Sequence, residues 1–115
     1  MKQYTSEEQT AKLIELGFEK PNNTRYVQRA KARNLHSPFI EFGEPEFEGS
    51  YSIGELIEML PRKVDGELLE ISAAETTRSR NRWMVRYPYG IIVYKDELID
   101  ALYDVILKLK EEGVI

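Results

Sequence analysis

Arg78, Arg80, Arg82 and Arg86 fall on alternate positions of one short stretch, with Met84 in the same phase. Side chains of an extended strand point alternately to opposite faces, so these five share one side while Asn81, Trp83, Val85 and Tyr87 share the other. Guanidinium forks take phosphate or carboxylate oxygens in pairs, which makes such a ladder a surface for nucleic acid or for an acidic partner. Glu67, Glu70 and Glu75 lie close by in the sequence. Arginines on a solvated strand face pair across the sheet with carboxylates of this kind, and that local pairing is the favoured expectation. Each exposed pair contributes only about 0.2–1 kcal/mol.

A second basic cluster, Arg25, Arg29, Lys31 and Arg33 with His36 nearby, contains no acid. The four-residue repeat of Arg25, Arg29 and Arg33 suits one side of a helix. Set beside the ladder, the two clusters would form one continuous basic patch. The stretch Glu41, Glu44, Glu46, Glu48, Glu55 and Glu58 follows, with no base until Arg62. Neutralisation of one segment by the other is the favoured outcome.

The remaining catalytic inventory is thin. His36 is the sole histidine, followed by Ser37, and there is no cysteine. No nucleophile elbow, glycine-rich phosphate loop or metal-spaced histidine pair occurs. Asp96, Asp100 and Asp104 recur at four, but one helix side does not converge oxygens as a hard cation requires. They read as a solvated helix face, with Asp104 placed to pair with Lys108. The expectation is a non-enzymatic chain with no catalytic residues, no metal and no cofactor; carboxylate-only chemistry ranks third, behind nucleic-acid binding.

The elements that would position these residues follow from periodicity. The chain has 115 residues, 16 Lys+Arg against 20 Asp+Glu, a net charge of −4 and 42% hydrophobic residues. That is one domain with enough apolar side chains to fold without disulfides. Thr5 and Glu8 have capping-box spacing ahead of a helix over 6–16, which Gly17 ends. Ser52 and Glu55 repeat the spacing ahead of a helix over 53–60, stopped by Pro61. Residues 19–50 carry no sustained period and read as mostly irregular, with a short helix preferred over Arg25–Arg33.

From Glu67 the period becomes two, predicting a strand that puts Leu69, Ile71 and Ala73 inward. A second strand runs from Arg82 to Tyr87, a turn at Pro88-Tyr89-Gly90 follows, and Ile91–Tyr94 returns as a third. Trp83 and Tyr87 are in the core phase, and Tyr89 at the turn tip is the aromatic expected at the surface. Leu98, Ile99, Ala101, Leu102, Val105, Ile106 and Leu109 then recur at three and four, predicting a helix over 96–112. The fold expected is α+β: a three-stranded antiparallel meander covered by a long carboxy-terminal helix, with two short amino-terminal helices alongside. The amino terminus is polar and no apolar run spans a bilayer, so no membrane association and a cytoplasmic setting are expected.

The order of landmarks is Tyr4-Thr5 with Glu8-Gln9, Lys12 to Gly17, Tyr51-Ser52-Ile53 with Leu56 to Pro61, a strand pair, and a closing helix ending Lys110 to Ile115. It resembles small uncharacterised proteins of phages and mobile elements of Bacteroides-type bacteria. The likeness spans both ends and the middle but not residues 22–49. It implies a bacterial cytoplasmic setting and an accessory role, and assigns no site residue. The function expected is an accessory or protein-interaction domain, acting on a protein partner or as a homodimer.

Overall fold

The computed structural model describes residues 1–27, 30–31, 41–42, 46–73, 83–88 and 90–115. In chain order the elements are α1 (Glu7–Glu15), β1 (Arg25–Val27), β2 (Ala30–Lys31), β3 (Glu41–Phe42), β4 (Glu46–Glu48) and α2 (Ile53–Met59). There follow β5 (Lys63–Val64), β6 (Glu67–Leu68), β7 (Glu70–Ala73), β8 (Trp83–Arg86), β9 (Ile92–Lys95) and α3 (Leu98–Glu111). Strands β7, β8 and β9 form the antiparallel meander expected from the period-two stretch. Helix α3 packs against β8, β9 and α2, so the α+β architecture is as the sequence implies. No described helix is long and apolar enough to cross a membrane.

The core lies between α3 and the sheet. All seven apolar residues of the α3 stripe are buried, together with Val85, Tyr87, Val93, Leu13, Leu56 and Leu60. Trp83 and Ile71 are partly buried against this cluster, so β8 is extended with its indole inward. α3 begins at Leu98 because Glu97 stays extended (φ −112°, ψ 132°), its carboxylate accepting from the Lys2 backbone N–H at 2.8 Å. Gly113 takes φ 76° just past the helix end, the left-handed conformation that closes it.

The caps divide instructively. Ser52 and Glu55 form the expected capping box, each accepting from the other's backbone N–H at 3.2 Å. At α1 the box is made by Ser6 and Gln9, one residue beyond the Thr5–Glu8 pair that spacing suggests. Thr5 is committed elsewhere. It is 6% exposed, shares a 2.7 Å hydrogen bond with the Thr10 hydroxyl, and its own hydroxyl oxygen accepts the Tyr51 N–H at 2.9 Å. Its N–H donates in turn to the Tyr51 carbonyl at 3.0 Å, stitching the amino end to the start of α2.

Two expectations are corrected. The helix over Arg25–Arg33 is replaced, wherever those residues are described, by strands: β1 pairs with β4 and β2 with β3, so the segment expected to be irregular holds an antiparallel arm. The backbone register sets Arg25 opposite Glu48, Tyr26 opposite Phe47 and Lys31 opposite Glu41. The strand expected from Glu67 is also broken in two. β5 and β6 form a tight hairpin around Asp65 (φ 52°) and Gly66 (φ 80°), and Leu69 separates it from β7. Asp-Gly suits a two-residue turn needing two positive φ values, a signal present in the sequence but overshadowed by the alternation beyond it.

Candidate interaction face

One face of the meander rests on α3; no other described element packs on the opposite face. Cross-strand register sets Glu70, Arg86 and Ile92 in one row of that outer face and Ser72, Met84 and Tyr94 in the next. Ile92 is 43% and Tyr94 46% exposed, high values for such side chains. Met84 is half-buried between Ser72 and Tyr94. The charged row is internally neutral, because the Arg86 Nε donates to a Glu70 carboxylate oxygen at 2.5 Å. The face is therefore an apolar strip flanked by a satisfied ion pair.

Of the arginines that could line a basic surface, Arg86 occupies the outer face as alternation requires, but it is held by Glu70. Arg25 lies in β1 at the register position facing Glu48, not on a helix. Arg78, Arg80, Arg82, Arg29 and Arg33, with His36 and Tyr89, lie outside the described residues. The aromatics found exposed among the described residues are Tyr94 and Tyr4. Sequence reasoning passed over Ile92 and Tyr94 because Ile91 to Tyr94 is apolar throughout. The signal that could have found them is phase: if Val93 faces the core, its neighbours on either side cannot.

Other polar groups are committed to structure. A depression of 240 Å³ is lined by Phe18, Lys20, Tyr51, Glu55, Glu58 and Met59 among others. Glu55 spends both carboxylate oxygens there, on the Ser52 and Asn22 backbone N–H groups. Asp100 accepts from Lys2 at 2.9 Å and from Gln9 at 2.8 Å. Burial alone would raise its pKa, but these two hydrogen bonds, with the charges of Lys2 and Lys95, hold it below the ordinary carboxylate value. Asp104 pairs with Lys95 at 3.2 Å, not with Lys108 one turn along. No three acidic or histidine side chains converge as metal ligands among the described residues.

A second depression, of 590 Å³, lies between the start of β9 and the end of α3, lined by Gly90, Ile91, Ile92, Lys108, Glu111 and Glu112. Comparison with known proteins finds no matching family model, curated relative or solved structure.

Proposed function

We propose that the chain is a non-enzymatic protein-interaction domain whose contact surface is the outer face of the meander. The observation that carries this is the pairing of Ile92 and Tyr94, both close to half exposed, in a strand whose other face is core. A solvated sheet face normally shows polar residues at such positions, and a contiguous apolar strip is the ordinary mark of a contact site. The commitment of Glu55, Asp100 and Arg86 to partners within the chain supports a binding role over catalysis. Its setting, a bacterial cytoplasm and an accessory role in a phage or mobile element, rests on the resemblance of its landmarks alone.

The test is a photo-crosslinking residue at position 94 in cells producing the protein, with the exposed Glu15 position as control. A discrete adduct at 94 and none at 15 is expected; equal background at both sites overturns the reading. Nucleic-acid binding is separable in solution. With Arg86 neutralised, duplex DNA should not be retained at low ionic strength. Retention that falls with salt, at a log–log slope near about −0.9 per phosphate contacted, would favour the basic-surface reading instead.

A further inference from the structure

The edge of the meander carries more information than its face. The Tyr87 N–H donates to the Ile91 carbonyl at 2.9 Å, which makes Tyr87 and Ile91 a hydrogen-bonded pair. Bonded and non-bonded pairs alternate along an antiparallel ladder, so Val85–Val93 and Trp83–Lys95 are bonded as well. Ile92 and Tyr94 consequently turn their N–H and C=O groups away from β8, towards the rim. No turn, loop or cap hydrogen bond among the described residues uses these four groups. The opposite rim differs, for beside β7 the Leu69 N–H is already taken by the Arg62 carbonyl at 2.9 Å. β9 also lacks the usual protection of an edge: it has no proline, and its one charged residue, Lys95, lies at its end.

We infer that β9 pairs antiparallel with β9 of a second copy, about a twofold axis through Val93, giving a continuous six-stranded sheet. This rests on the interaction-domain reading and names the occupant. The choice of a second copy follows from self-complementarity. Centred on Val93, Ile92 of one chain stands opposite Tyr94 of the other, and the reverse by symmetry. All four donors and all four acceptors at the two rims are then used, in four N–H···O=C bonds. On the outer face each Ile92 meets a Tyr94, an aliphatic–aromatic pair of the kind that stabilises ladders. On the α3 side Lys95 comes opposite Ile91 of the other copy, beside the depression lined by Glu111 and Glu112. Lys95, whose Nζ is paired with Asp104 of its own chain at 3.2 Å, thus adds positive charge beside two exposed carboxylates of the other copy.

Light scattering after gel filtration of the full chain should give twice the mass of one chain. Tyr94→Lys and Ile92→Pro should each raise the dissociation constant at least about tenfold, with folding checked by Trp83 fluorescence. Because the chain has no cysteine, register is read directly from Ile92→Cys and Tyr94→Cys chains. With a short bismaleimide, the mixture should crosslink faster than either variant alone. A wild-type mass of one chain at the highest concentration reached, or homotypic crosslinking as fast as mixed, overturns the pairing. A monomer that still forms the position-94 adduct with another protein overturns only the second copy as occupant; a monomer with no adduct overturns the interaction reading too.

Discussion

Two phenols tie loops to the core through single hydrogen bonds. Tyr87 is 2% exposed and its hydroxyl donates to the Pro61 carbonyl at 2.6 Å; Tyr51 is 1% exposed and donates to the Glu19 carbonyl. Burial raises the pKa of both, and for Tyr51 the Glu55 charge adds to it. A raised folded-state value means the neutral phenol is favoured on folding. The stability it carries is present below the ordinary phenol value, about 10, and is lost as pH rises through the folded value. Tyr87→Phe should therefore lose about 1 kcal/mol in urea titration at neutral pH and flatten the alkaline fall in stability. Asp100 has the opposite sign. Its lowered value contributes stability above about pH 4 that is lost as pH falls through the folded value. Its side chain is 34% exposed, so Asp100→Asn should cost about 1 kcal/mol or less at pH 7 and leave a shallower acid limb in pH-dependent denaturation.

At the scale of elements, the short pieces depend on their ends. α2 spans Ile53–Met59 and its amino end is satisfied by Ser52 and Glu55, so Ser52→Ala should destabilise by about 1 kcal/mol. Gly66 sits at φ 80° in open space, so an added methyl group meets no neighbour and only the backbone resists. Gly66→Ala should cost about 1 kcal/mol, read from the thermal midpoint, without disturbing the meander. Such features were readable from the sequence to different degrees. The Ser52–Glu55 box and the α3 stripe were legible because spacing alone specifies them. The Ser6–Gln9 box was not, since Thr5 has the same cap chemistry and only its contacts with Thr10 and Tyr51 disqualify it. The β1–β4 arm was hidden because the positions its register sets opposite each other, such as 25 and 48, lie far apart along the chain. The candidate face was half legible: alternation placed Arg86 outward, while Ile92 and Tyr94 were lost in an all-apolar run.

Among the described residues the core is held by α3 packed against β8 and β9, extended by α2. Leu102 is fully buried at its centre, and Leu102→Ala should cost about 2–5 kcal/mol. Because Trp83 borders the same core, its fluorescence and the far-ultraviolet helix signal should be lost together in denaturant, with both midpoints shifted equally; separate transitions would show that sheet and helix fold independently. The charge pattern belongs to this scale as well. A total of −4 includes ion pairs closed within the chain, Arg86 with Glu70 and Lys95 with Asp104.

By itself the sequence determined the periods, 3.6 along α3 and two around Trp83, and the Ser52–Glu55 cap of α2. These depend on neighbours within a turn or a pair of residues, so local steric and hydrogen-bonding rules suffice. Tertiary structure alone decided which partner each polar group meets and which strand is left at the rim. Thr5 and Tyr51 are 46 positions apart, and Lys2 and Asp100 are 98 apart. Partners so distant are chosen by how α3 and the meander pack, because burial must satisfy every polar group it encloses, and no local spacing encodes that choice.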